Sequence, residues 1–444
     1  MNVIKLVGFR GYQLKILLSM MFLPFCSVAA EGLGTIIIDA GYDRRTSIAI
    51  VPFDVDRSLG PTDRLADIIG FDLARSGYFD PMAFDNMLSL PTKPEEVFFR
   101  DWRILGVEYL VIGRGLGSLP GNGPVEYRVY DVYNEREISS GIHSVNDKDW
   151  RAVAHLISDE VFELITGIRG AFSTQLAYVL ATNVGLPTAT YNLEIADSDG
   201  QRGRTLFSSS QPLMSASWSP DGKLIAYVSF EERRPSIIVQ EIATGNRRKI
   251  AQFQGLNGSP VFSPDGEKMA MVLSRDGNPE IYVMRLSDGR LRRITRHHGI
   301  DTEPSWDASG DRIIFTSDRG GQPQIYQVDL NTNYVERLTF RGSYNARARL
   351  LGDGNNMVYV HRRDGLFHIA RQSMERDDFE ILTSTNLDES PSIAPNGTML
   401  IYATQDRGRG ILSVVSIDGR VKYRLPSVSG DVREPAWSPY LENP

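Results

Sequence analysis

Six positions in the second half of this chain recur at an almost constant interval. Trp218, Phe262, Trp306, Leu350, Ile393 and Trp437 are separated by 44, 44, 44, 43 and 44 residues. A turn and an alternating apolar run follow each of the first five, as in Pro220–Ser229, Pro264–Ser274 and Asn396–Thr404. A period of about 40–45 residues carrying four short strands is the pattern of a β-propeller. The second unit spells the strands out at 259–263, 268–274, 280–286 and 290–295, with Ser263-Pro-Asp-Gly266 and Ser287-Asp-Gly289 as hairpin turns.

The sixth unit stops after one strand, Pro435-Ala-Trp-Ser438. Its other three strands are expected upstream, at 175–179, 191–196 and 204–208. A blade built from both ends of the repeat region closes the ring and leaves no open sheet edge at the seam. Residues 31–168 carry no repeat. Strands are expected there at 35–39, 47–53 and 108–113, a hairpin at 126–132 and 137–145, and helices at 62–76, 95–105 and 149–165. The expected fold is multidomain: a small α/β domain at 31–168, then an all-β six-bladed propeller at 169–444 closed by N- and C-terminal strands in one blade.

The first thirty residues read as an address. Lys5, Arg10 and Lys15 precede an apolar run from Ile16 to Phe25, and Val28-Ala-Ala30 supplies small residues at a cleavage site. A secretory signal peptide cut between Ala30 and Glu31 is expected, and the run falls short of the ~20 residues that span a bilayer. Cleavage removes three positive charges and Cys26, the sole cysteine, so the formal charge moves from -7 to -10. Residues 31–168 hold 23 acids against 13 Lys and Arg, while residues 169–444 hold 32 of each. The acidic excess therefore belongs to the small domain, and a general nucleic-acid binder is a poor expectation.

No catalytic constellation is legible. Propellers gate some serine peptidases, but no Gly-x-Ser-x-Gly is present, and the ring accounts for the sequence to Pro444. The six histidines form no His-Glu-x-x-His, and His297-His298 reads as an exposed loop pair. Gly113-Arg-Gly-Leu-Gly117 lacks the third glycine and the helix of a dinucleotide site, and Asp197-Ser-Asp-Gly200 matches the hairpin turns of other blades. Neither a catalytic residue, a metal nor a cofactor is expected.

What remains is surface. In a propeller the loops entering each innermost strand ring the channel mouth. Here they are varied, whereas the opposite face repeats Ser-Pro-Asp-Gly, so binding is expected at the mouth. Its candidates are Leu213, Met214, Ser215, Leu256, Asn257, Gly258, Asp301, Thr302, Glu303, Asn345, Arg347, Leu387, Asp388, Glu389, Asp431 and Arg433. Pro260, Pro304, Pro391 and Pro435 read simply as strand starts. The segment Glu31, Gly32, Leu33, Gly34, Thr35, Ile36, Ile37, Ile38, Asp39 reads either as a first strand of the small domain or as a strand offered to another protein's sheet edge.

Several stretches carry a resemblance: Ile37-Ile-Asp-Ala-Gly41, Ser158–Glu163, Leu164–Phe172, Gln211–Ser215, Leu387–Pro391, Ala394–Thr398 and Pro435–Tyr440. By these the chain resembles the TolB family of the Tol-Pal system of Gram-negative bacteria over its whole mature length. The resemblance implies a non-enzymatic periplasmic adaptor supporting outer-membrane integrity and invagination at division. It implies that the mouth binds the peptidoglycan-associated lipoprotein Pal, and that residues 31–43 are bound by the C-terminal domain of TolA. Coupling of the two through docking or release of that segment follows from the same resemblance. Other outer-membrane lipoproteins or porins, and bacteriocins that exploit the Pal-binding face, are further implied partners. Departures are Asp307-Ala-Ser-Gly310 and Leu351-Gly-Asp-Gly354 in place of Ser-Pro-Asp-Gly, and Leu256 where relatives carry a polar side chain. The alternatives are a secreted propeller-type hydrolase and a purely structural envelope protein.

Overall fold

The computed structural model describes residues 36–38 (backbone only), 45–60, 63–117, 123–145, 149–376, 378–426 and 429–441. The expected signal peptide and its cleavage site lie outside these residues, as does most of the 31–43 segment. Residues 33–444 form one compact unit.

The small domain is a five-stranded sheet in the order Phe79–Pro81, Thr46–Ile50, Tyr109–Gly115, Val125–Asp131, Arg136–His143, parallel among the first three strands and antiparallel thereafter. Period-two alternation sorts its side chains. Ile48, Ile50, Val111 and Val129 face helices α1 (Leu65–Ser76) and α3 (Trp150–Thr166). Ala49, Val51, Leu110 and Ile112 face the short helix α2 (Phe99–Ile104), whose Trp102 is fully buried. Helix α3 starts where Asp149 accepts the Ala152 N–H at 2.9 Å and ends at Gly167 with φ 74°. Its Val153, Ala154, Ile157, Val161 and Phe162 form the apolar stripe toward the sheet, while Arg151, His155 and Ser158 lie buried elsewhere on the helix.

The ring has six blades. Five run Leu213–Ala251, Asn257–Arg293, Asp301–Arg337, Asn345–Ile381 and Glu389–Arg424, each a four-stranded meander with its first strand innermost. The sixth pairs Asp431–Trp437 with Gln175–Thr182, followed by Thr190–Asp197 and Arg204–Ser209, so both termini of the repeat region build one sheet. The recurring aromatic positions stitch blades together. Trp218 Nε1 donates to the Ala436 carbonyl of the sixth blade at 3.0 Å, Trp306 Nε1 to the Val261 carbonyl of the second at 3.2 Å, and the Trp437 N–H to Ser392 Oγ of the fifth at 2.9 Å, while Trp437 Nε1 stays at the seam, donating to Thr174 Oγ1 at 2.8 Å. The repeated turn is equally local in origin: Ser219 Oγ donates to Asp221 and accepts the Leu224 N–H, and Gly222 sits at φ 69°. In the third blade Asp307 Oδ1 takes the Arg312 N–H instead, so the departure there preserves the turn.

Two expectations are corrected. Residues Ile36–Ile38 are not a strand of the small domain. They pair antiparallel with Val421–Tyr423, the outer strand of the fifth blade, giving that blade a fifth strand. The four prolines do not start strands either. Pro260, Pro304, Pro391 and Pro435 stand inside innermost strands, each directly after a bulge residue, where the ladder needs no N–H from them.

Candidate functional site

The six innermost strands share one irregularity. Their registers slip between Met214 and Ser217, Gly258 and Val261, Thr302 and Ser305, Ala346 and Arg349, Glu389 and Ser392, and Arg433 and Ala436. At each slip a non-glycine residue takes the left-handed conformation: Ser215, Ser259, Glu303, Arg347, Ser390 and Glu434, with φ between 46° and 55°. Each costs of order 1–3 kcal/mol, which the surrounding sheet must hold in place. All six line a central cavity of about 400 Å³.

Charge in this ring is shared between blades. Arg347 Nε donates to Glu303 Oε1 at 2.6 Å, Nη1 donates to Ser390 Oγ, and Nη2 reaches Glu434 Oε1 at 3.3 Å. Thr316 Oγ1 and the Arg347 N–H also donate to Glu303, at 2.9 and 3.1 Å. Burial opposes the Arg347 charge, yet Glu434 and Glu303 raise its pKa above the ordinary arginine range. The next layer down holds Ser217, Val261, Ser305, Arg349, Ser392 and Ala436 at equivalent positions. Arg349 is its one charge and donates to the Ala348 carbonyl at 2.9 Å. Its pKa is pulled down by burial, and Arg347 adds to this against Glu303 and Glu434.

The expected mouth residues divide by position. Asn257, Asp301, Asn345 and Asp388 are buried anchors that hold the loops from within. Asn257 Nδ2 donates to the Phe253 carbonyl at 2.8 Å, Asp301 pairs with Arg319 at 2.7 Å, Asn345 Nδ2 donates to Gln324 at 2.7 Å, and Asp388 accepts from Thr383 and Thr404. Leu213 is core, and the Asp431 carboxylate accepts the Gly410 N–H at 2.8 Å. Ser215, Glu303 and Arg347 line the channel; Gly258 and Thr302 are half-buried beside it. Met214, Leu256, Leu387, Glu389 and Arg433 are left facing outward. Ile300, at 49% exposure, belongs with Leu256 and Leu387 at 40% and 44%, as do Val184 and Leu186 on the loop between Thr182 and Thr190. Leu256, Ile300 and Leu387 are thus exposed apolar side chains at corresponding loop positions around a charged channel. The equivalence of Ile300 to Leu256 follows from the 44-residue spacing; the 183–189 loop does not, because it joins the second and third strands of the sixth blade and is not one of the entry loops that the spacing aligns.

A second cluster joins the small domain to the ring. Arg75 of α1 donates through Nε to Asp72 at 3.0 Å, through Nη1 to the Ser198 carbonyl at 3.1 Å and Tyr423 OH at 3.0 Å, and through Nη2 to Ser198 Oγ at 2.7 Å. His155 Nδ1 meets Asp72 at 2.6 Å, Arg151 pairs with Asp199, and Arg202 binds Asp197 at 2.7 Å. Burial opposes a charge on His155, but Asp72, with Asp197 and Asp199, raises its pKa to about 10. Asp72 is held below the carboxylate range: burial opposes this, and His155 and Arg75 outweigh it. His155, Asp197 and Asp199 lie close enough to cage a cation, but Arg202 and Arg151 already occupy the two carboxylates, so the set does not fit a metal. Nor is Asp72–His155 half of a catalytic triad, since the second imidazole nitrogen faces Asp197 and Asp199 at 3.8 and 3.9 Å rather than a hydroxyl.

This joint touches the added strand. Tyr423, which bonds Arg75, is the register partner of Ile36. Gly77, the αL cap of α1, lies against Val421, the partner of Ile38: a Cβ at Gly77 would stand 2.4 Å from Val421 Cγ2. Among the described residues no helix is long and apolar enough to cross a membrane.

Comparison with known proteins follows this division. A family model described as the TolB amino-terminal domain matches residues 34–138, and one described as the TolB beta propeller domain matches residues 162–441. The Tol-Pal system protein TolB of Pseudomonas fluorescens (strain Pf-5) is 57% identical over 418 residues, covering 93% of this chain and 96% of that protein. The protein of the same name from Pseudomonas entomophila is 58% identical over 421 residues, covering 94% and 97%. The crystal structure of TolB from Acinetobacter baumannii superposes with a TM-score of 0.84 at 42% identity, covering 91% of this chain and 99% of that one.

Proposed function

The chain belongs to the TolB family of Tol-Pal system proteins, and on that premise we propose that it is a non-enzymatic periplasmic adaptor with two binding elements. The channel mouth grips a Pal-type, peptidoglycan-associated lipoprotein. The mature N-terminal segment, residues 31–43, is the strand taken by the C-terminal domain of TolA. Together they support outer-membrane integrity and invagination at division, and bacteriocins that reach the mouth would compete with the lipoprotein.

The observation that carries this reading is the pairing of Ile36–Ile38 with Val421–Tyr423 at an outer blade edge. Three residues of antiparallel ladder at an edge make a weak dock, and strand addition is a form of pairing that one edge can surrender to another. The strand shares Tyr423 and Val421 with α1 of the small domain, so a shift of that helix against the ring alters the dock. The mouth supplies the other half. Glu303, Arg347 and Glu434 are fixed by cross-blade bonds, and Leu256, Ile300 and Leu387 offer apolar contact around them.

The test uses the mature protein with detergent-solubilised envelopes. It is expected to recover a Pal-type lipoprotein, and deletion of residues 31–43 is expected to abolish binding of the TolA C-terminal domain while the lipoprotein still binds. Recovery of no envelope partner, together with hydrolysis of a generic ester or peptide, would sink the adaptor reading. Loss of both partners on deletion, with a large fall in Tm, would make the segment a structural strand only.

A further inference from the structure

The propeller as a whole has equal numbers of acidic and basic residues, yet one place on its outer wall is strongly basic. A groove of about 1000 Å³ runs between the second and third blades. Arg290, Arg292, Arg293 and Arg296 line it from the second blade, with Asp311 and Asn333 from the third. Arg293 is answered by Glu280 at 2.9 Å. Arg290, Arg292 and Arg296 are exposed, and among the described residues none has a carboxylate within ion-pair distance. Asp311, the one carboxylate in the lining, meets Asn331 Nδ2 at 3.4 Å instead.

Arg292 is also held ready. Its Nη2 spans the groove and donates to the Leu330 carbonyl at 3.0 Å and Asn333 Oδ1 at 2.7 Å. These acceptors are neutral, so they orient the guanidinium without cancelling its charge, and its other donors remain for a carboxylate. The groove borders Leu291–Arg293, the outermost strand of the second blade, which is bonded on one side only. The corresponding strand of the fifth blade already carries an added strand, Ile36–Ile38. An outer edge of this ring can therefore take an extended segment, and this one is flanked by guanidinium groups with no ion-pair partner among the described residues.

We propose that the groove between the second and third blades binds an acidic, extended segment of a partner protein, its main chain along Leu291–Arg293 and its carboxylates on Arg290, Arg292 and Arg296. A flat anionic bilayer fits less well, because the site is concave and no large apolar side chain in its lining is exposed. The channel mouth takes no part.

The experiment titrates the mature protein into a labelled short peptide alternating Glu and Thr, read by fluorescence anisotropy. Binding is expected, and replacing Glu by Gln in the peptide is expected to abolish it. The variant Arg290→Gln/Arg292→Gln/Arg296→Gln is expected to bind about tenfold more weakly, three exposed ion pairs being lost. The variant Arg233→Gln/Arg234→Gln/Arg248→Gln removes the same charge from exposed positions elsewhere and is expected to bind as the parent does. Equal weakening in both variants, equal binding of the Gln peptide, or no binding at all would overturn the proposal. So would displacement of the peptide by an equal concentration of inorganic phosphate, or capture by phosphatidylglycerol vesicles without binding of the peptide. All six arginines are exposed, so both variants are expected to keep the parental Tm.

Discussion

The channel ring and the joint between the domains are built from the same chemistry, and the difference between them lies in what their charges span. In the channel, Arg347 ties Glu303, Ser390 and Glu434, four positions on four blades of one closed ring. At the joint, Arg75, Arg151 and His155 of the small domain face Asp197, Ser198, Asp199 and Tyr423 of the propeller. The ring network cannot open without breaking the propeller, so it presents a fixed surface. The joint's bonds run between side chains of elements that share no sheet, so no strand pairing opposes a shift there, and it is the place where a change at one site is most readily felt at another. The comparison also separates the two by their cations: a histidine stands among the arginines of the joint, whereas arginine alone supplies the positive charge of the ring network.

The largest effect that would break this distinction is at the joint. Asp72→Asn leaves His155 and Arg75 buried without their shared carboxylate, at a cost of about 4 kcal/mol. Urea unfolding is expected to split into two transitions, and a single cooperative shift would show that the joint is not an independent element. In the channel, Arg347→Met leaves Glu303 and Glu434 facing each other and is expected to cost about 3 kcal/mol in one unbroken transition, with weaker lipoprotein binding. Gly77→Ala forces a Cβ against Val421 and strains an αL cap. About 2 kcal/mol is expected, together with faster amide exchange at residues 36–38; unchanged exchange would sever the link between α1 and the added strand.

Titration gives a finer contrast. The folded pKa of His155, about 10, lies above its ordinary 6.5, so its stabilisation is full below 6.5 and is lost as the pH rises toward 10. Asp72 works in the opposite sense, contributing above its ordinary 3.8 and failing as the pH falls through its depressed value. Each pH unit above 6.5 is therefore expected to cost the joint at most about 1.4 kcal/mol, and a His155→Gln variant is expected to flatten that slope. Arg347→Met, measured alongside, is expected to leave the slope unchanged. The smallest effect concerns strain. Ser259→Gly relieves a left-handed serine but adds backbone entropy to the unfolded chain, so a gain of no more than about 1 kcal/mol is expected in Tm measurements. A loss would show that the Ser259 side chain contributes more than its backbone strain costs.

The sequence carried the propeller because its determinants are local and repeated. Ser219, Asp221 and Gly222 make a turn whose bonds span a few residues, and the 44-residue spacing multiplies that signal. The same periodicity located the channel mouth, since equivalent positions must share a height in the ring. It did not reveal which side chains turn outward. Asn257, Asp301 and Asn345 open innermost strands and Asp388 directly precedes one, and each polar side chain is buried by bonds to groups of its own entry loop or of neighbouring strands. In sequence the prolines look like strand starts, because the bulge before each one is a register slip against a partner strand, invisible in a single strand.

What the sequence determined alone was the blade count, the closing seam and most of the small domain's elements, set by periodicity, turn chemistry and capping over short separations; it missed the short edge strand Phe79–Pro81, which has too few residues to show a period. Only the tertiary structure decided where Ile36–Ile38 goes, because a β-branched run can pair with any open edge and nothing within it names Val421–Tyr423. It likewise decided that Asp197-Ser-Asp-Gly200, an ordinary hairpin turn by composition, is half of the domain joint. The charges that make it so, Arg75, Arg151 and His155, arrive on helices from a different fold, and burial beside those carboxylates is what turns an exposed turn into a buried ionic network.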